Sequence, residues 1–189
     1  MMELRERYHG CLLGLAAGDA LGTTLEFRTP GSFAPITDMI GGGPFQLRAG
    51  EWTDDTSMAL CLAESLLACG GFDARDQMDR YRRWYREGYM SSTGRCFDIG
   101  NTVRQALHTF ESTGEPVSGP TAPNTAGNVS IMRLAPIPLY YLQDPATALK
   151  RSRDSSTTTH GASAAVDASE YLGCLLIGAL RGIEKSELL

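Results

Sequence analysis

The stretch Trp52-Thr53-Asp54-Asp55-Thr56 runs straight into Met58, Ala59, Leu62, Leu66 and Leu67. Apolar residues three and four apart mark one helix face, so the spacing predicts a helix whose N-terminus carries two carboxylates and two hydroxyls. Oxygen donors of this kind suit a hard cation such as Mg²⁺ or Mn²⁺. No Lys or Arg inside the stretch neutralises Asp54 or Asp55. The simpler reading is an ordinary helix start, because free N–H groups and the helix dipole favour acids there without any metal. Taken alone, the spacing favours the simpler reading.

Upstream, Leu4, Tyr8, Cys11, Leu12 and Leu15 form an apolar helical stripe, with Gly10, Gly14 and Gly18 recurring every fourth residue. Glycines so spaced weaken a helix but allow close approach of a neighbour or ligand. The helix is expected to give way at Gly18-Asp19-Ala20-Leu21-Gly22, ahead of Glu26-Phe27. A long irregular segment with Pro30, Pro35, Gly41-Gly42-Gly43 and Pro44 then leads into the acidic stretch. Loops of that length inside a domain are usually functional or mobile.

Downstream, Gly70-Gly71 is a break and Asp73 caps a helix through Met78, Tyr81, Trp84 and Tyr85. Arg95 to Asn101 is expected to open the next helix, with Val103, Ala106, Leu107 and Phe110 inward. Residues 114–127 are a Pro, Gly, Ser and Thr loop, and Asn128 to Tyr141 is an apolar helix interrupted by Pro136 and Pro138. Pro145 sits in the first turn of a short helix. The run Ala164, Ala168, Tyr171, Leu172, Leu175, Leu176, Ala179, Leu180 has little polar relief and predicts a deeply buried helix that Gly182 can end. One more helix starts near Glu184. There is no alternating strand pattern and no internal repeat, so the expected fold is a single all-α, multi-helical domain over residues 1–189.

The 189 residues carry a formal charge of −5, which argues against a broad grip on nucleic acid or an anionic membrane. Lys150 and Lys185 are the only lysines, a bias that composition explains as readily as phosphate recognition. The five cysteines (Cys11, Cys61, Cys69, Cys96, Cys174) are scattered and form no C-x-x-C pair. With Cys11, Cys61 and Cys174 on apolar helical faces, they read as reduced, buried thiols. No signal-type core follows the N-terminus, and no apolar run is long enough to span a bilayer. The expected location is cytoplasmic.

Polar residues recur at helix starts and loops: Asp19, Glu26, Thr53 to Asp55, Asp98, Asn128 and His160. Singly, each has a plain structural account. Asp19 fits a turn, Glu26 a solvated surface, Asp98 and Asn128 helix caps, and His160 a satisfied core histidine. As an ordered set they do not. Gly18-Asp19-Ala20-Leu21-Gly22, Glu26-Phe27, Trp52 to Thr56, Phe97-Asp98-Ile99-Gly100, Gly127-Asn128 with Ser130-Ile131-Met132-Arg133, Pro136 and Thr159-His160 together resemble the ADP-ribosylglycohydrolase family. The resemblance covers nearly the whole chain.

It implies an orthogonal all-α fold around a binuclear Mg²⁺ or Mn²⁺ centre and hydrolysis of the glycosidic bond joining ADP-ribose to a protein side chain or small conjugate. Thr53, Asp54 and Asp55 would be metal ligands, and Glu26 and Asp98 the catalytic carboxylates. Asp19, Gly100, Gly127, Asn128, Ser130, Met132 and His160 would contact substrate, with the Gly127-Asn128 turn offering N–H groups to the diphosphate. Carboxylates beside the ribose would stabilise an oxocarbenium-like state and manage the proton.

Two departures carry expectations of their own. Val129 stands where the family has the last glycine of Gly-Asn-Gly, so a positive φ there would strain it. The family's second ligand set, of Asp-x-Asp-Thr type, has no counterpart: after His160 the only Asp is Asp167. The chain is therefore expected to be C-terminally incomplete, to bind one ion weakly, to turn over negligibly, and to associate with itself or a C-terminal fragment. The rival reading is a non-catalytic ADP-ribose or nucleotide reader. A metal phosphatase would explain the acidic stretch alone.

Overall fold

The computed structural model describes residues 3–188. In chain order its helices are α1 (Leu4–Gly22), α2 (Asp54–Cys69), α3 (Ala74–Glu87), α4 (Asn101–Thr113), α5 (Val129–Met132), α6 (Pro136–Tyr140), α7 (Pro145–Thr157), α8 (Ser163–Arg181) and α9 (Lys185–Leu188). Short 3₁₀ turns lie at Thr23–Leu25 and Pro123–Thr125. No strand forms among the described residues; one antiparallel bridge joins Gly42 and Leu47.

Helix α2 sits at the centre because two of its faces are apolar. Met58 and Cys61 pack with Met78, Tyr81 and Trp84 of α3 and Val103, Leu107 and Phe110 of α4. Leu62 and Leu66, one step around the helix, pack with Leu134 and with Ile137 of α6. A third cluster joins Leu139, Leu142 and Ala148 to Ile177 and Leu180 of α8, flanked by Tyr8 and Cys11 of α1. Burying a Leu- or Met-sized side chain contributes about 1.5–3 kcal/mol, so these three clusters dominate stability.

Several punctuation marks fall where the sequence places them. The Asp73 carboxylate accepts from the Asp76 N–H at 2.9 Å and caps α3. Asp144 does the same for α7 through Thr147, with Pro145 at its first turn. Gly70 and Gly182, at φ 67° and 86°, end α2 and α8 in the left-handed conformation that glycine adopts freely.

Four expectations need correction. Helix α1 does not give way at Gly18 but continues through Gly22, putting Asp19 in its last turn. Packing against α2 offsets the cost of the interior glycines, about 1 kcal/mol each. The segment 95–100 is not helical: Asp98 has φ 57° and Gly100 is the extended N-cap of α4. Helix α8 is buried on one face only, through Ala165, Val166, Ser169, Gly173, Ile177, Gly178 and Leu180, while Tyr171 and Cys174 are exposed. At 19 residues and mean hydropathy 1.3 it is long and apolar enough, by length and composition alone, to cross a membrane. Here it packs along α7, and Asp167 and Glu170 on its surface both pair with Arg153. All five cysteines are free; Cys61 is buried and Cys11 half-buried.

Candidate active site

The positive end of α2 opens into a cavity of about 410 Å³ lined by Gly18, Asp19, Gly22, Thr23, Leu25, Glu26, Thr53, Asp54, Asp55, Asp98, Gly100, Asn128, Val129 and Met132. Its walls therefore come from the end of α1, the turn that follows, the start of α2, the 97–100 loop and α5. Residues from Gly18 to Met132 converge because α2 packs against both α1 and α5.

Asp19 holds the opening together. Its carboxylate accepts from the N–H of Thr53 at 3.0 Å to both oxygens and from the N–H of Thr56 at 3.0 Å. It also accepts from the Thr53 hydroxyl at 2.8 Å and the Thr56 hydroxyl at 2.6 Å. Thr53 is the N-cap residue of α2, yet its own side chain makes no capping bond. The cap is delivered from a different helix. This overturns the plain account of Asp19 as a turn residue and makes it a scaffold for the acidic cluster.

With the N–H groups so occupied, Asp54 and Asp55 are free to face the cavity. Asp54 is 5% exposed, and burial, then Asp98, then Asp55 push its pKa up to about 9. Burial first, then Asp19 and Glu26, raise Asp55 to about 7. Asp98 is likewise pushed up to about 7, by burial and then by Glu26. Burial is also the main reason that Glu26 is raised; its hydrogen bond with Asp98 opposes this. Glu26 and Asp98 thus act on each other directly, Glu26 disfavouring the ionised form of Asp98. No Lys or Arg is among the lining residues to relieve the crowding.

Asp98 itself and the residue after Glu26 sit in the left-handed region, while Glu26 has an ordinary φ of −57°. Asp98 and Phe27, the neighbour of Glu26, have φ 57° and 61°. Phe27 meets Phe45 edge-on at 6.3 Å and Phe45 meets Phe97 at 5.4 Å between centroids. An aromatic row therefore braces the two loops that carry the carboxyls. Phe27 and Phe97 stand in the sequence motifs without a local reason, and Phe45, an isolated aromatic in a Gly-rich loop, is a weak signal.

Val129 carries no strain. It is the first residue of α5, is absent from the left-handed region, and is 7% exposed in the core with α2 and α4. Asn128 is the N-cap of α5 but makes no side-chain capping bond. Gly127, Ser130 and His160 are not in the cavity wall. Ser130 and His160 are each 1% exposed, and Ser130 Oγ and His160 Nε2 find no partner. Nε2 faces Gly127, where a Cβ would stand 3.0 Å from it. His160 is therefore not the satisfied core histidine of the plain account.

Thr53, Asp54, Asp55 and Glu26 offer hydroxyl and carboxylate oxygens, the donor chemistry of Mg²⁺ or Mn²⁺, in a pocket that no Lys or Arg lines. Among the described residues, no three His, Cys, Asp or Glu side chains converge into a cage for an ion. The donor set fits a hard cation; the cage is partial. Asp167 does not help to close it, being paired with Arg153.

Raised carboxyl pKa values mean that the folded chain holds more protons than the unfolded one between about pH 4 and 9. Stability then falls as pH rises through that window. Melting curves of the metal-free chain should show a lower midpoint at pH 9 than at pH 5. A flat or rising profile would mean that the carboxylates are not crowded.

The sequence model of the ADP-ribosylglycohydrolase family matches residues 1–189. The ADP-ribosylarginine hydrolase Tri1 of Pseudomonas putida (strain GB-1) is 48% identical over 184 residues, covering 97% of this chain and 49% of that protein. The ADP-ribosyl-[dinitrogen reductase] glycohydrolase of Rhodospirillum rubrum is 37% identical over 148 residues, covering 76% of this chain and 48% of that one. A solved ADP-ribosylglycohydrolase-related protein complex superposes with a TM-score of 0.87 at 48% identity, covering 100% of this chain and 61% of its own. The chain spans about half the length of the curated relatives it matches. A family model over the full sequence and a solved relative of the same helical fold lead to one conclusion: the chain belongs to the ADP-ribosylglycohydrolase family.

Proposed function

We propose that this chain supplies the acidic part of a site that hydrolyses the glycosidic bond between ADP-ribose and a protein side chain, arginine foremost. The observation that carries this is the single cavity holding Asp19, Glu26, Asp54, Asp55 and Asp98. The names of the relatives support arginine as the acceptor. In the reaction, the bond from the anomeric carbon to the acceptor nitrogen breaks, hydroxyl from water takes its place, and the proton leaves with the nitrogen. Glu26 and Asp98, the first raising the proton affinity of the second, would manage the proton and stabilise the positive charge that develops on the anomeric carbon. Asp19 keeps the α2 N-terminus oriented, and the start of α5 at Asn128 presents N–H groups towards a diphosphate. A bound Mg²⁺ or Mn²⁺, held by Thr53, Asp54 and Asp55, would supply Lewis acidity and an activated water.

The test compares these 189 residues with the protein extended to the length of its relatives, using ADP-ribosylated arginine and added Mn²⁺. The extended protein should release ADP-ribose; no release would overturn the hydrolase reading. The short chain should turn over negligibly, because its ion cage is partial. Leu4, Leu13, Tyr171 and Ile183, on or beside α1 and α8, are 47%, 67%, 63% and 44% exposed, so it should also self-associate. Comparable turnover from a monodisperse sample of 20.4 kDa would refute the incomplete-site reading.

A second reading, a metal-independent ADP-ribose reader, draws on the same partial cage. It loses the support of Val129, whose backbone is unstrained. Calorimetry separates the two: equal ADP-ribose affinity before and after exhaustive chelation favours the reader.

A further inference from the structure

Arg133 closes the Ser130-Ile131-Met132-Arg133 run but lies outside the cavity wall. It is 0% exposed, and its Nε and Nη1 find no partner. Among the described residues no carboxylate pairs with it. A buried cation without a counter-charge is costly, so such a residue is a liability unless its charge or its planar fork is used.

The structure shows where both are directed. Nη2 donates to the Ser155 carbonyl at 3.0 Å and to Thr158 Oγ1 at 3.3 Å. The guanidinium lies 4.6 Å from the centroid of the Tyr81 ring. Gln77 Nε2 donates to Ser155 Oγ at 3.0 Å and Thr158 Oγ1 at 3.2 Å, so two donors from different helices tie down one turn. That turn ends α7 and leads into His160, whose N–H donates to the Ser156 carbonyl at 2.7 Å. Ser156 Oγ donates back to the His160 carbonyl at 2.9 Å. His160 Nδ1 lies 3.0 Å from Thr159 Oγ1, which leaves Nε2 unpartnered and facing Gly127.

We propose that Arg133 is a positioning residue acting through His160: it pins the 155–158 turn and so holds Nε2 against the Gly127–Asn128 bend at the edge of the cavity. The inference rests on reading that bend as part of the ADP-ribose site. The charge of Arg133 serves the same end. Burial, and after it Arg133, push the His160 pKa down to about 4, so the ring is neutral and Nε2 makes one defined donor or acceptor. The other titratable groups against Arg133 are Tyr81 and Cys61; burial raises Tyr81 to about 12 and raises Cys61 likewise, so both are neutral and Arg133 is the charge that His160 faces.

The test is an NMR titration of the His160 ring in the metal-free chain, paired with calorimetry of ADP-ribose binding. The chain has three histidines, so a His160→Gln spectrum assigns the signal. Arg133→Met removes charge and fork; the His160 midpoint should rise by about one pKa unit or more, and ADP-ribose should bind about tenfold more weakly. Arg133→Lys keeps the charge but cannot bridge Ser155 and Thr158 as a fork, so the midpoint should stay low while binding still weakens. An unchanged midpoint in folded Arg133→Met overturns the proposal. If that variant does not fold, parental ADP-ribose affinity in Arg133→Lys overturns it. Should the parent chain bind no ADP-ribose, the site reading falls on its own, and the His160 midpoint still decides whether Arg133 governs the ring.

Discussion

Asp54→Asn is expected to abolish any rise in melting temperature that Mg²⁺ or Mn²⁺ produces through the proposed metal site, while leaving the metal-free protein as stable as before or more so at pH 8. The reason lies in the geometry at the start of α2. Asp54 is 5% exposed among like charges, and with its pKa near 9 it is mostly protonated at neutral pH when no cation is present. Asn has the same shape as that neutral acid, so replacing it costs little. A cation must expel the proton, and Asn has none to give and no charge to offer. The affinity loss should exceed the ~10–100-fold typical of a partner one shell further out. Binding by the parent should also release protons into a weakly buffered solution, and more tightly as pH rises. A metal-dependent melting shift that survives in Asp54→Asn would return Asp54 to the role of an ordinary first-turn acid.

Asp19→Ala should be the most destabilising single change near the site. It strips four donors at once: the N–H groups and hydroxyls of Thr53 and Thr56. Loss of a cap costs up to about 2 kcal/mol, and the bonds to a charged acceptor add to this, giving roughly 2–4 kcal/mol. For a chain of this size that is a melting shift on the order of 5–15 °C. Asp19→Asn should recover part of it, since one oxygen still accepts. If Asp19→Ala melts within about 1 °C of the parent, α2 does not depend on a cap from α1, and the scaffold role fails.

Much of the architecture is legible in the residues, and the exceptions have physical causes. The α2 stripe, the Asp73 and Asp144 caps and the Gly182 stop are local signals, read within one or two turns of chain. The convergence of Glu26, Asp54, Asp55 and Asp98 follows from the family pattern and is reproduced in one cavity. Asp19 as a cap is not legible, because the donor and acceptor are 34 residues apart and only tertiary packing joins them. The non-helical 95–100 segment escapes for a related reason: nothing local announces that Asp98 takes a left-handed conformation. Helix α8 misleads because its apolar residues run all the way around it. Ala164, Cys174 and Ala179 raise its hydropathy although they are exposed, and its polar relief comes from Asp167 and Glu170 held by a neighbouring helix. Arg133 is written in the motif, but burial without an acid partner is a property no sequence displays.

The link from Asp19 to Thr53 and Thr56 also changes what the long segment between Glu26 and Trp52 is for. Helix α1 is fastened to the body independently of it, by Asp19 at one end and, nearer the other, by the Tyr8 hydroxyl on the Leu139 carbonyl at 2.9 Å and Arg7 on the Ala179 carbonyl at 2.9 Å. The segment is thus a tether rather than a strut. Its backbone could be cut, lengthened or re-spliced with α1 still seated, at a loop-closure cost that grows only slowly with length. The proposed catalytic Glu26 sits at the very root of that tether, and Phe45 within it braces Phe27 and Phe97; away from those points, shape and sequence in the segment are free to vary with the molecule being recognised, while the acids it borders stay fixed.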